Sequence, residues 1–198
     1  MTTVASPPPP PPTIGPPSAP PPIATRGPES KPAETGVWVG IATICMSFAA
    51  LTSAMVVRQS AAPDWRHFQL PPILYLNTLI LLASSFTLEA GRRRIAAPLV
   101  RVTLGLGVLF VAGQVVAWRQ LAAQGLFLAT SPSSAFFYVF TALHGLHVLG
   151  GLAGLLYALQ RLPRAAGVAP TALGAAALYW HFMGVLWLYL LTILTIRV

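Results

Sequence analysis

Long stretches without a charged residue constrain this chain more than any other feature of its sequence. A membrane-spanning helix needs about 20 predominantly apolar residues, and backbone groups inside a bilayer must be hydrogen-bonded within the segment, which favours helices. The charge-free stretches after Thr35 are residues 35–57, 68–88, 102–118, 120–160 and 165–196. They predict an all-α integral membrane bundle of five transmembrane helices, near residues 36–58, 71–90, 96–118, 135–160 and 171–196.

The composition excludes a water-soluble fold for the whole chain. Hydrophobic residues make up 55% of it and charged residues only 8%, whereas an ordinary soluble domain carries about 25% charged residues. A soluble enzyme or a nucleic-acid-binding domain needs a polar surface that these few charges do not supply. The single cysteine, Cys45, excludes an internal disulfide and a cysteine-based metal cluster.

Residues 1–35 differ from the rest, since they hold 13 of the 20 prolines. Proline fixes φ and has no amide hydrogen, so this segment is predicted to be a disordered tail that samples polyproline II conformations. We therefore expect a tail over residues 1–35 and a transmembrane domain over residues 36–198. The tail lacks the basic start and apolar core of a signal peptide, and a ligand for a proline-binding module is the alternative to a passive tail.

The distribution of basic residues predicts the orientation, because cytoplasmic loops of membrane proteins carry an excess of Lys and Arg. With five spans, the N-terminal tail, the second loop and the fourth loop share one side. That side carries more basic residues than the other, which places the N-terminus in the cytoplasm and the C-terminus outside. The first set is Arg26, Lys31, Arg92, Arg93, Arg94, Arg101, Arg161 and Arg164, and the second is Arg58, Arg66, Arg119 and Arg197.

Three histidines lie within the predicted spans. His144 and His147 are three residues apart and share a helix face, and His181 belongs to the fifth span. One interpretation is a haem held by His144 or His147 together with His181. A zinc site is another, but no nearby carboxylate or thiolate completes it. The third is that the histidines hydrogen-bond across helices and fix packing, or face a partner subunit.

The remaining polar residues at depth favour structural contacts. Glu89 precedes Arg92 and Arg93 at i+3 and i+4, which predicts a local ion pair, with a proton-carrying carboxylate as the alternative. The GxxxG face of Gly150 and Gly154, with Gly151 beside it, is typical of closely approaching helices. Residues expected to form interhelical hydrogen bonds instead of a substrate site are Asn77, Ser84, Ser85, Gln114 and Thr141.

Two segments resemble signatures of the cytochrome c oxidase subunit III family. Residues 136–151 resemble its FF-x-x-TG-x-HG-x-HV-x-x-G signature, and residues 179–188 resemble its YWHF-x-x-x-WL motif. Shorter matches begin at Ala49, Asn77 and Gln124, in family order, so the resemblance covers residues 36–198. The candidates it singles out for packing or subunit contact, with no catalytic, cofactor or metal role, are Asn77, Thr141, His144, Gly145, His147, Gly150, Trp180, His181, Phe182 and Trp187.

The resemblance implies a non-catalytic core subunit of a haem-copper respiratory oxidase, an enzyme of aerobic electron transport that reduces oxygen and pumps protons. Haem and copper are then expected in subunits I and II and not in this chain, which contacts subunit I directly. The expected setting is the bacterial inner membrane. Membrane lipids are expected partners, nucleic acid is not, and the resemblance is compatible with a bound phospholipid and with a larger respiratory supercomplex.

The chain departs from the family pattern in three places. Longer members have seven helices and a lipid cleft, whereas this chain has room for five. Residues 41–48 lack the membrane-buried Glu of many members. Gly184 stands where an Asp often follows the YWHF motif, so His181 loses a polar partner if that Asp supplies one in relatives.

Several alternative functions remain open at this stage. The same scaffold serves in a quinol oxidase or as an accessory of a nitric oxide reductase, which differ in their electron donors and partners. An independent haem-binding membrane cytochrome is a more remote alternative. A small transporter receives little support, because the spans lack paired broken helices and buried charges.

Overall fold

The computed structural model describes residues 32–61, 64–161 and 168–198, with side chains described over 35–61, 64–161 and 172–198. Within these residues the chain forms five α-helices and no strand. The helices are α1 (Pro32–Ala61), α2 (Ile73–Arg94), α3 (Ala97–Ala123), α4 (Pro132–Arg161) and α5 (Val168–Arg197). Each is long and apolar enough to cross a bilayer. The predicted all-α bundle of five transmembrane helices is confirmed.

The first helix begins earlier than predicted. It starts at Pro32 instead of residue 36, so residues 32–35 of the predicted tail are helical. Proline is tolerated in a first turn because the amide there has no intrahelical acceptor to lose. The rest of the predicted tail, residues 1–31, lies outside the described residues.

A serine cap fixes the start of α4. The backbone N–H of Ser134 donates to Oγ of Ser131 at 3.3 Å, and the backbone N–H of Ser131 donates to Oγ of Ser134 at 3.1 Å. This reciprocal pairing is that of a capping box, followed by Pro132 in the first turn. The helix therefore starts at Pro132, ahead of the predicted residue 135.

Four of the helices close into a ring. α2 packs on α3, α3 on α4, α4 on α5, and α5 returns to α2, while α1 packs outside the ring against α5 and α4. We call α2 to α5 the ring. Its centre is filled by large side chains that are fully or almost fully buried, including Leu81, Phe110, Phe137, Trp180 and Trp187. The outward faces expose large apolar side chains, such as Phe86 and Leu146, to the hydrocarbon.

The C-terminus is tied to the segment between α1 and α2. The backbone N–H of Phe68 donates to the carbonyl of Val198 at 2.8 Å, and Nε1 of Trp65 donates to the carbonyl of Arg197 at 2.9 Å. These contacts bring the segment before α2 to the end of α5. Five alternating spans require that arrangement, because the first loop and the C-terminus then share one end of the bundle.

Candidate functional site

His144 lies at the centre of the ring between aromatic side chains. Its ring centroid is 5.9 Å from that of Phe110 and 5.2 Å from that of Trp187. The side chains of Phe110 and Trp187 also contact each other edge to face, with their ring centroids 5.0 Å apart. His144 is fully buried, and neither of its ring nitrogens has a hydrogen-bond partner among the described residues. Of the interpretations for this histidine, packing is the one that the contacts among the described residues favour. The aromatic side chains of Phe110 and Trp187 position His144 by packing against it.

The other two candidate histidines have different neighbours. Nδ1 of His147 is 2.7 Å from the carbonyl of Leu143 in its own helix, and its ring centroid is 6.0 Å from that of Phe48 on α1. His181 is partly exposed, with Nε2 3.8 Å from a carboxylate oxygen of Glu89 on α2. Over the described part of the chain, no three His, Cys, Asp or Glu residues lie close enough to hold a metal ion. The zinc interpretation therefore has no ligand set there.

Two tryptophans of α5 donate hydrogen bonds to hydroxyls of α2. Nε1 of Trp180 is 3.0 Å from Oγ of Ser84, and Nε1 of Trp187 is 3.0 Å from Oγ1 of Thr78. Both indoles are almost completely buried. A buried indole N–H needs an acceptor, so each pair fixes the rotation of α5 relative to α2 as well as the distance between them.

Thr141 and Asn77 join the remaining neighbours in the ring. Nε1 of Trp118 on α3 donates to Oγ1 of Thr141 on α4 at 3.0 Å. Nδ2 of Asn77 on α2 donates to the carbonyl of Phe110 on α3 at 3.5 Å, and the amide packs directly against Gly113. Oδ1 of Asn77 has no partner among the described residues. The interhelical hydrogen bonds predicted for Thr141 and Asn77 are confirmed.

Close helix packing occurs at Gly107 and Gly151. A Cβ atom on Gly107 would lie 2.6 Å from the ring of Trp180, and one on Gly151 would lie 3.1 Å from the same ring. By contrast, Gly154 has open space around it and the nearest atom to a Cβ on Gly150 is 3.8 Å away. Within this chain, α4 therefore approaches α5 more closely at Gly151 than at Gly150 or Gly154.

Gly145 and Gly150 instead line two membrane-facing grooves. The α3–α4 groove has a volume of about 270 Å³ and is lined by Phe110, Gln114, Trp118, Gly145, Leu146 and Leu149 among others. The α4–α5 groove has a volume of about 390 Å³ and is lined chiefly by small residues, including Gly150, Gly154 and Ala175. Phe182, the remaining motif residue, is partly buried and packs on the core.

Glu89 forms the predicted ion pair with the arginines of its own helix. Nη2 of Arg92 is 2.8 Å and Nε of Arg93 is 2.7 Å from the same carboxylate oxygen. His181 is a further neighbour that sequence spacing did not indicate, because it lies on another helix. Glu89 thus gives His181 the acidic neighbour that Gly184 does not provide.

A family model and individual known proteins assign the chain to the same family. Residues 41–196 match the family described as Cytochrome c oxidase subunit III. "Probable cytochrome c oxidase subunit 3" of Mycobacterium tuberculosis is 32% identical over 176 residues, which cover 80% of this chain and 85% of the relative. "Cytochrome c oxidase subunit 3" of a Synechocystis species is 33% identical over 157 residues, covering 72% of this chain and 66% of the relative.

A quinol oxidase subunit is also similar. "Cytochrome bo(3) ubiquinol oxidase subunit 3" of Pseudomonas aeruginosa is 29% identical over 171 residues, which cover 80% of this chain and 81% of the relative. The family match begins in α1 and ends in α5, and therefore includes the ring and all ten candidate residues. Subunit III associates with other oxidase subunits in the membrane and does not itself bind haem or copper. This chain belongs to the cytochrome c oxidase subunit III family, and it is a subunit III of a haem-copper oxidase.

Proposed function

We propose that this chain is a structural support for the oxygen-reducing, proton-pumping subunit I of a bacterial respiratory oxidase. The observation that carries the proposal is that three buried or partly buried indoles are paired with hydroxyls of neighbouring helices. The indoles of Trp118, Trp180 and Trp187 donate these hydrogen bonds. Such pairs give a bundle a fixed shape, which a supporting subunit needs. Electron transfer then belongs to subunits I and II, with subunit I in direct contact.

The proposed setting is the bacterial inner membrane, with the N-terminus in the cytoplasm. The end of α2 carries Arg92, Arg93 and Arg94 in its last turn, and α4 ends at Arg161. These termini lie on the end that five alternating spans assign to the N-terminal side. The positive-inside rule supports the cytoplasm for that end.

A bound phospholipid completes the proposed setting. The α4–α5 groove offers about 390 Å³ of mostly apolar space beside the start of α1, which suits an acyl chain. The guanidinium of Arg161 stacks over the ring of Tyr157, which lines this groove, at 5.0 Å from the centroid. A cation held at the membrane interface is suited to a lipid phosphate.

The proposed electron donor of the complex is cytochrome c, since two of the relatives above are named as subunits of a cytochrome c oxidase. The quinol oxidase relative from Pseudomonas aeruginosa favours quinol as a second candidate. Oxygen consumption by the purified complex, measured separately with reduced cytochrome c and with a reduced quinol, distinguishes the two. Turnover with the quinol alone would replace the first candidate by the second.

Purification through an affinity tag on this chain tests the supporting role. In a mild detergent the chain should bring down larger subunits and a haem spectrum, and the chain dissociated from them should be colourless. Native electrophoresis of the same sample reports whether the oxidase belongs to a supercomplex. Recovery of the chain alone, without haem-bearing partners, would contradict the proposal. So would a Soret band in the isolated chain that is abolished by His144→Ala or His181→Ala.

A further inference from the structure

The α3–α4 groove contains a buried amide that lacks a partner. Gln114 lines this groove and is only 4% exposed, yet neither Oε1 nor Nε2 has a hydrogen-bond partner among the described residues. Its neighbour Trp118, one turn further along α3, is satisfied by Thr141. Gln114 is therefore the polar group of this groove whose hydrogen-bonding capacity is left over.

An unpaired buried amide is costly, and lipid does not relieve it. Leaving such a group unsatisfied costs about 1–3 kcal/mol in proteins, and acyl chains contain no donor or acceptor. A lone water needs two to four polar partners to be held in a cavity, whereas the groove is otherwise lined mainly by apolar side chains such as Val111, Leu146 and Leu149. The amide therefore requires a group that offers a donor and an acceptor and is attached to something apolar.

The depth of Gln114 in the bilayer excludes a lipid headgroup as that partner. Trp118 lies four residues nearer the end of α3, and tryptophans are enriched at the interface between headgroups and hydrocarbon. With a rise of about 1.5 Å per residue, Gln114 lies roughly 6 Å deeper than Trp118. Lipid esters and phosphates remain near the interface, so a helix of another protein is better suited than a lipid to supply a polar group at this depth.

The surface around Gln114 is shaped for a helix. A Cβ atom added to Gly145 would meet no heavy atom within 4 Å, so the floor of the groove is open there. Leu146 and Leu149 are 64% and 50% exposed on one rim, and Val115 is 40% exposed on the other. Small residues between larger apolar ridges allow two transmembrane helices to approach closely.

We infer that the α3–α4 groove receives a transmembrane helix of another subunit of the oxidase. That helix places an Asn, Gln, Ser or Thr side chain within reach of the Gln114 amide, which is covered in this structure and turns toward the groove when the helix docks. The inference rests on the proposed function, because it takes its partner from the same assembly. It adds which face of this chain docks, and which residue of the groove gives the docking a fixed register.

A pair of matched glycine substitutions tests the docking. Gly145→Leu fills the groove, whereas Gly105→Leu makes the same change on α3 outside it, and neither Cβ would meet an atom within 4 Å. Both variants should fold as isolated chains with unchanged thermal stability in detergent. The amount of chain that co-purifies with the haem-bearing subunits should fall about tenfold for Gly145→Leu, the equivalent of about 1.4 kcal/mol, and should stay at the wild-type level for Gly105→Leu.

Gln114→Met separates docking from a role within the bundle. Methionine has a similar shape but no amide, so the isolated chain should be as stable as the wild type or more stable. Retention in the complex should fall severalfold. A residue that only held this chain together would give the opposite pattern, with a less stable isolated chain.

Cross-linking identifies the partner directly. A photoreactive diazirine side chain at Leu146 should label a transmembrane segment of one oxidase subunit, in a peptide with Asn, Gln, Ser or Thr at the level of Gln114. Only lipid adducts at Leu146, or wild-type retention of both Gly145→Leu and Gln114→Met, would overturn the inference. The proposed function would survive that result if the tagged wild-type chain still brought down the haem-bearing subunits.

Discussion

The ring and the peripheral helix α1 satisfy their polar groups in different ways. In the ring, hydroxyls accept from the side chains of other helices, as Ser84 does from Trp180. On α1, the hydroxyls of Thr43 and Ser47 donate to carbonyls four residues earlier in the same helix, at 3.0 and 2.9 Å. A hydrogen bond within one helix does not constrain the position of a neighbouring helix. Directional contacts therefore join the buried faces of the ring helices, whereas those of α1 with α5 lie toward the C-terminal end of α1, at Thr52 and Gln59.

The shape of one aromatic side chain does most to place α1. Phe48 is 1% exposed and stacks on Phe140 of α4 with the ring centroids 6.2 Å apart. A polar contact nearer the C-terminal end of α1 joins Oγ1 of Thr52 to Oη of Tyr189 at 2.8 Å. The difference indicates that α1 can be loosened while the ring stays folded, whereas unfolding the ring also removes the surface on which α1 packs.

The largest effect is expected from Gly107→Leu inside the ring. A Cβ on Gly107 would already lie 2.6 Å from atoms of both Leu152 and Trp180. Overpacking typically costs about 1–3 kcal/mol and occasionally more, and a side chain whose first atom already overlaps its neighbours should exceed that range. Unfolding of the purified chain in detergent, followed by circular dichroism, measures the loss. Gly105→Leu is the control, because its Cβ meets nothing within 4 Å. Equal stability of the two variants would contradict a tightly packed ring.

Phe48→Ala should detach α1 without unfolding the ring. Truncating a buried Phe to Ala costs about 3–5 kcal/mol in a soluble core, and should cost less here because lipid tails are as apolar as the side chain that is lost. The loss falls on the packing of α1 against α4 and α5. Limited proteolysis between α1 and α2 should accelerate, while the near-ultraviolet circular dichroism of the ring tryptophans is retained. Met46→Ala, at a side chain that is 74% exposed, is the matched control on the same helix. Loss of the tryptophan signal in Phe48→Ala would show that the two regions fold together.

Ser84→Ala should weaken the ring by a smaller amount. It leaves the buried indole N–H of Trp180 without its acceptor, and interhelical hydrogen bonds in membranes contribute about 0.6 kcal/mol on average, with a maximum near 1.7. Chemical unfolding reports the stability, and tryptophan fluorescence reports the altered environment of the indole. Ser47→Ala on α1 should change neither quantity. A similar loss in both variants would remove the proposed distinction between the regions.

Thr52→Val should produce the smallest effect. It keeps the shape of the side chain and removes the contact with Tyr189, which is exposed and contributes about 0.5 kcal/mol or less. Hydrogen exchange of α1 amides should rise slightly near residue 52. Thr43→Val removes only a hydrogen bond within α1, so the hydrogen exchange of the amides near residue 52 should stay unchanged. If Thr52→Val lowered the free energy of unfolding as much as Ser84→Ala does, then directional contacts would also fix the position of α1.

Several local features followed from sequence spacing. The ion pair of Glu89 with Arg92 and Arg93 was predictable because residues three and four apart meet on a helix surface. The cap at Ser131 was not predicted, and its reciprocal hydrogen bonds place the start of α4 at Pro132 instead of residue 135. Such contacts depend on a few neighbouring residues, so a sequence pattern describes them almost completely.

Contacts between helices were harder to predict. The periodicity of glycines in α4 indicated a small-residue face, but whether Gly150 or Gly151 meets Trp180 depends on the rotation of α4 relative to α5. The meeting of Glu89 with His181 depends likewise on the relative heights of α2 and α5. A rotation of part of a turn changes either contact without changing any pattern along one helix.

The sequence by itself determined that this chain is a five-helix membrane protein of the subunit III family, because long charge-free segments must be helical in lipid and the motif residues stand in family order. Only the tertiary structure decided that His144 is enclosed by aromatic rings, and that Gln114 lies in a membrane-facing groove without a hydrogen-bond partner among the described residues. The physical reason is that hydrogen-bond satisfaction is a property of neighbours in space. It is settled when separate helices acquire a common register, and no single segment encodes that register.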